Sequence, residues 1–282
     1  MTKLKELAEV KEHLRLEKFP HIWCAGCGHG IVLQASLRAV LDLDLDKNKL
    51  VVVSGIGCSS RAVGYIDFDT LHTAHGRAIP FAMGIKIANP SLTVLILTGD
   101  GDIAAIGGNH LIHAARRNID LTVVVFNNFN YGMTGGQYSP LTCEGSFATT
   151  ASYGHIERPF DICSLVRAAG ATYIARSTTY HALQLPKLIG DGIAHHGFSL
   201  VEVVTGCPTY YGKFNEMANP VKMLEWQRDH AVNLKQYQIL SEEERKDKFA
   251  IGLIYSDQAP EYTDEYTKLI QKAQVTARNS SE

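Results

Sequence analysis

The chain is expected to fold as a doubly wound α/β domain, a mostly parallel sheet followed by a helical C-terminal extension. Three observations predict this. Short β-branched runs at 50–54, 93–98, 121–127, 171–175 and 199–204 read as buried parallel strands. Helical patterns lie between them, and strands alternating with helices favour parallel pairing. After Tyr211 the composition turns charged and mostly helical in pattern, with no strand of the earlier kind expected.

Each element has its own signal. Residues 28–43 carry Ile31, Val32, Ala35, Leu37 and Val40 at helical spacing, and 103–117 carry Ile106, Leu111, Ile112 and Ala115. Residues 179–194 also read as a helix, with a break or kink at Pro186. Residues 1–22 form a charged N-terminal segment with an amphipathic helical pattern, 23–211 the main domain, and 212–282 an extension that wraps the domain or a partner.

Composition narrows the function. Of the 282 residues, 45% are hydrophobic, ample for a core, and the net charge of −2 with no basic block argues against a nucleic-acid partner. No apolar run approaches the roughly 18 residues of a membrane span. The charged N-terminus does not resemble a signal peptide, and six cysteines in such a chain read as reduced thiols or metal ligands. A soluble cytoplasmic protein is expected.

The topology gathers the reactive residues. Ligands of open α/β sheets bind beyond the carboxyl ends of the strands. Cys58, Asp100, Asn128 and Cys207 each follow a strand, while Cys24 and Cys27 precede the first helix, so all six are expected on one rim. Cys24, Cys27, Cys58 and Cys207 can hold an iron–sulfur cluster or, equally well on ligand count, a structural zinc. Cys163 reads as a core residue and Cys143 as a loop thiol without a role. The Gly-Asp-Gly turn at 99–101 opens a helix, and a strand then ends in Asn127-Asn128. Asp100, the Asn128 amide oxygen and the Asn130 carbonyl can hold magnesium on a diphosphate at a helix N-terminus. His29, His72 and His75 lie near this site, with His75 the candidate catalytic histidine. His110 and His113 read as helix-face residues. Arg61 stands near the mouth and could pair with a second substrate carboxylate; a surface arginine is the competing reading.

The Gly-Asp-Gly and Asn-Asn pattern resembles that of thiamine diphosphate enzymes. The segments WCAGCGHG, GIGCSSR, HTAHGRAIPFA and FNYGMTGGQYSP resemble the β subunit of 2-oxoacid:ferredoxin oxidoreductases, over about residues 23–209. The resemblance implies a [4Fe–4S] cluster on Cys24, Cys27, Cys58 and Cys207, magnesium on Asp100, Asn128 and Asn130, and thiamine diphosphate against Ile56, Gly57, Cys58, Ser59, His75, Gly101, Asp102, Gly132 and Met133. It implies reversible oxidative decarboxylation of a 2-oxoacid with CoA, giving acyl-CoA, CO₂ and reduced ferredoxin. With Arg61, 2-oxoglutarate is the expected substrate; pyruvate or another 2-oxoacid is the alternative, and a non-redox thiamine decarboxylase with a structural zinc is a further one. The glutamate that such catalysis needs comes, in that family, from a partner α subunit, and no glutamate here occupies a matching motif. The chain thus reads as half an active site, needing an α subunit in an (αβ)₂ assembly and passing electrons to ferredoxin.

Overall fold

In the computed structural model, which describes residues 7–279, one eight-stranded sheet forms the centre of the molecule. The strands are β1 (Leu50–Ser54), β2 (Asp69–His72), β3 (Thr93–Gly99), β4 (Leu121–Asn127), β7 (Tyr173–Thr178), β8 (Phe198–Val204), β9 (Ala231–Asn233) and β10 (Phe249–Ser256). A small hairpin joins β5 (Asn130–Tyr131) to β6 (Gln137–Tyr138). The sheet order is β2-β1-β3-β4-β8-β7-β10-β9, and every pairing is parallel except β10 against β7. The central strands β4 and β8 are buried along their whole length, which explains their unbroken apolar runs.

The principal helices are α1 (His29–Asp42), α2 (Ala78–Ala88), α3 (Gly108–Arg117), α4 (Ile162–Ala169), α5 (Leu185–Ala194), α6 (Pro220–His230) and α7 (Tyr262–Asn279). They cover both faces of the sheet. One core cluster holds Val32, Leu37, Leu95, Phe126 and Val203; the other holds Ile79, Ile96, Leu111, Val125 and Phe198. No helix among the described residues is long and apolar enough to cross a membrane.

Several expectations need adjusting. Pro186 does not kink a helix: it sits in the first turn of α5, where its missing N–H costs nothing. Residues 102–106 form a wider turn, so α3 starts at Gly108. The strand expected at 171–175 runs from Tyr173 to Thr178. At the N-terminus the helix is only Leu7–Glu12, and residues 1–6 of the expected segment lie outside the described residues. The segment after Gly212 ends in the expected helix, α7, but it also adds β9 and β10 to the sheet edge.

The extension is stitched to the domain. Asn118 donates to the carbonyls of Ala259 (3.1 Å) and Pro260 (3.3 Å), and the Asp120 amide donates to Glu261 at 2.8 Å. Ile254 and Tyr255 pack on the core cluster. Removing residues 249–282 bares the β7 edge and this apolar face. The truncated chain is expected to lose its cooperative thermal melt. A melt as sharp as that of the full chain would show the extension to be dispensable.

Candidate active site

The sheet order reverses beside β1 and β3, the place where open α/β sheets form a crevice. The turns after β1, β3 and β4 meet there around a cavity of about 70 Å³. Its wall includes Ile56, Gly57, Cys58, Ser59, His75, Asp100, Gly101, Asp102, Asn128, Asn130, Gly132 and Met133, so residues separated along the sequence are brought together. His29, Phe126, Tyr131 and Thr134 also line it, with Gly99. Their sequence signal is weak: His29 reads only as lying near the site, and an aromatic after Asn130 carries no ligand signature.

Asp100 is the chemical centre of the wall. It is 2% exposed and accepts from the Ser139 hydroxyl at 2.5 Å. Burial pushes its carboxyl up to about 7, against the pull of Ser139 and backbone amides. The Asn128 side-chain oxygen lies 3.1 Å from Asp100 Oδ1 and 2.8 Å from the carbonyl oxygen of Asn130. Three oxygens facing one another repel unless a cation sits between them or the amide turns over. Neighbouring ligands of an octahedral magnesium stand about 2.9 Å apart, and those of calcium above about 3.2 Å. With the Asn128 oxygen facing the other two, this spacing would suit magnesium; with the amide turned over, its nitrogen donates to Asp100 and to the Asn130 carbonyl instead.

Asp102 has a different part. Its carboxylate accepts from the amides of Ile56 (3.3 Å) and Gly76 (2.7 Å), from Thr98 Oγ1 (2.7 Å) and from His75 Nδ1. It ties the β1 turn, the β2–α2 loop and β3 into one wall. It also fixes the His75 tautomer, leaving Nε2 available at the cavity. Arg61 does not line the cavity: it is exposed on the turn after Ser59, beside His72.

The four cysteine loops converge behind this wall. Trp23 Nε1 donates to the Cys58 carbonyl at 2.7 Å, and the Gly206 amide donates to the Cys27 carbonyl at 3.0 Å. Gly26 takes φ +80°, and a Cβ there would lie 2.3 Å from Pro220 at the start of α6. Burial, with Cys24 and Cys207 close by, raises the Cys27 thiol to about 11; burial and the neighbouring sulfurs raise Cys58 to about 12. Asn130 Nδ2 approaches the Cys207 sulfur at 3.5 Å. Among the described residues no three of these sulfurs lie within 4.8 Å of one another. Cys163 lies in the core against Glu202, and Cys143 lies beside Tyr211, both apart from the four.

Comparison with known proteins agrees with this geometry. Residues 55–203 match the family described as thiamine pyrophosphate enzyme, C-terminal TPP binding domain. The fold and site thus define a thiamine diphosphate-binding enzyme domain. The chain is 51% identical to the 2-oxoglutarate synthase subunit KorB of Methanocaldococcus jannaschii over 261 residues, 93% of this chain and 97% of that protein. It is 59% identical to the Archaeoglobus fulgidus protein of that name over 203 residues, 72% of this chain and 76% of the relative. A solved 2-oxoglutarate:ferredoxin oxidoreductase of Magnetococcus marinus, with 2-oxoglutarate, coenzyme A and succinyl-CoA bound, superposes with a TM-score of 0.84 at 32% identity, covering 97% of this chain and 92% of that one. The chain belongs to the β subunits of the 2-oxoacid:ferredoxin oxidoreductases.

Replacing Cys207 with Ser is expected to strip metal from the purified protein, because a neutral hydroxyl is a far poorer ligand than a thiolate. Serine at Cys143 or Cys163 is expected to leave metal content unchanged. Metal analysis of the three variants decides, and retention in Cys207→Ser with loss in Cys143→Ser would reverse the assignment.

Proposed function

We propose that this chain carries the magnesium-diphosphate half of a thiamine diphosphate site and one [4Fe–4S] cluster, and acts in oxidative decarboxylation of 2-oxoglutarate. CoA takes the acyl group and ferredoxin the electrons, and the reaction is reversible. The observation that carries this reading is that Cys58 belongs both to the cavity wall and to the four-cysteine set. A cofactor in the cavity and a cluster on the sulfurs would then be neighbours. Thiamine diphosphate, when bound, supplies the electron sink for decarboxylation, and the cluster supplies a one-electron acceptor.

The chain's own residues bind and orient. Asp100, Asn128 and the Asn130 carbonyl hold magnesium; the cluster sits on Cys24, Cys27, Cys58 and Cys207. The Ile56–Ser59 turn, Gly101, Gly132 and Met133 surround the cofactor. His75, held at Nδ1 by Asp102, offers Nε2 for proton transfer. Asp102 acts through that wall as well as lining it.

A partner α subunit supplies the missing half. Among the described residues no glutamate lines the cavity. Ile56, Met133 and Ile106 are 40%, 47% and 51% exposed, apolar residues at or beside its mouth that a partner would cover.

The test is turnover with 2-oxoglutarate, CoA and a ferredoxin or one-electron dye. Turnover is expected from the chain with its α subunit, accompanied by iron and thiamine in the complex, and none from the chain alone. Full activity of the isolated chain would end the half-site reading.

Substrate choice has its own test. Arg61 is proposed to meet the distal carboxylate of 2-oxoglutarate once the partner encloses the mouth. Arg61→Ala is then expected to raise KM for 2-oxoglutarate about ten- to a hundredfold more than for pyruvate, the worth of one hydrogen bond to a charged group. Equal losses on both substrates would make Arg61 structural.

A further inference from the structure

We infer that Glu202 and Asn127 are a positioning pair that sets the metal-binding oxygens of Asn128 and Asn130. This rests on the magnesium reading above. Neither residue lines the cavity; they act through the turn that follows β4.

Glu202 is a carboxylate in a buried strand, 4% exposed. Its Oε2 accepts from Arg176 Nε at 2.6 Å, and its Oε1 accepts from Asn127 Nδ2 at 2.8 Å. Arg176 is held from its other side by Asp161, the N-cap of α4. An ionised carboxylate only accepts, so Glu202 can hold the Asn127 amide one way round. The Asn127 oxygen is thereby turned toward Phe129, whose amide donates to it at 3.1 Å. That bond clamps the middle of the turn, between the two metal-binding oxygens.

The clamp is needed because the turn is strained. Phe129 takes φ +60°, a left-handed conformation that a bulky residue adopts only when its surroundings enforce it. The Phe129 carbonyl is fixed as well, accepting from Thr142 Oγ1 at 2.6 Å. A relaxed Phe129 would carry Asn128 and Asn130 out of register with Asp100. The chain of contacts from Asp161 through Arg176, Glu202 and Asn127 to Phe129 therefore acts on magnesium affinity while touching neither metal nor diphosphate.

The polarity of the Glu202–Asn127 bond supplies the test. Asn127→Asp alone sets two carboxylates face to face. Glu202→Gln alone must turn its NH₂ toward either the Asn127 amide or Arg176. A double variant that combines Asn127→Asp with Glu202→Gln restores every contact with the direction of the shared bond reversed. The introduced glutamine amide donates to the introduced aspartate, and the glutamine oxygen accepts from Arg176. The second oxygen of that aspartate accepts from the Phe129 amide. Net charge is unchanged.

The measurement is magnesium-dependent binding of thiamine diphosphate by titration calorimetry, on the chain with its partner subunit, alongside thermal melts. Each single variant is expected to raise the magnesium Kd about tenfold or more, the loss of one charged hydrogen bond. The double is expected within about threefold of the parent, since the same bonds are re-formed. A single variant that fails to fold is judged by the double, which must recover both folding and affinity. Singles that bind like the parent, or a double no better than the worse single, would overturn the pair. A parent complex that binds no thiamine diphosphate would overturn the reading of the site and this inference with it.

Discussion

Buried negative charge at one end of the sheet is the constraint around which the structure is arranged. Asp100, Asp102 and Glu202 are 2%, 3% and 4% exposed, and an uncompensated buried carboxylate is costly. Two of the three are satisfied by the protein. Asp102 meets four donors, and Glu202 meets Arg176 and Asn127. Asp100 has the Ser139 hydroxyl and backbone amides but no cationic side chain hydrogen-bonded to it, and burial raises its carboxyl accordingly. Behind the wall, burial with the neighbouring sulfurs likewise raises the Cys27 and Cys58 thiols. Burial thus disfavours the charged form of the Asp100 carboxyl and of both thiols alike.

Most of this was legible in the sequence because the decisive residues are chemically rare and stand at strand ends. A parallel sheet turns sequence order into spatial convergence, so Cys58, Asp100, Asn128 and Cys207 could be placed on one rim from the strands alone. What was not legible has physical reasons. β2 is Asp-Thr-Leu-His, too short and polar to show as a strand. β10 reads Phe-Ala-Ile-Gly-Leu-Ile-Tyr-Ser, but it follows a dense charged stretch, and the averaged composition concealed it. Arg61 was placed by its distance of three positions from Cys58, yet the tight turn between them leaves it on the surface. Glu202 gave no signal at all: its partner Asn127 is 75 positions away, and only the β4–β8 pairing joins them.

The polar pairing also explains why Asn127 accompanies Asn128. Asn128 lines the cavity beside Asp100; Asn127 has its oxygen turned to the Phe129 amide and its nitrogen to Glu202. Asn127 ends β4 while Asn128 stands in the turn beyond it, so the two adjacent side chains meet different surroundings, Glu202 for the first and the cavity wall for the second. The Glu202 contact continues through Arg176 to Asp161, which caps α4.

Proximity of the two halves of the site comes down to one residue without a side chain. A Cβ on Gly132 would lie 3.4 Å from the Cys58 sulfur and 3.6 Å from that of Cys207. Gly132 also lines the cavity, beside Met133. Its backbone is thus the partition between the sulfur pair and the cavity, and a methyl group there would meet both sulfurs in ordinary van der Waals contact. On the other side of Gly132 the cavity wall is apolar and open to solvent, with Ile56 and Met133 exposed there.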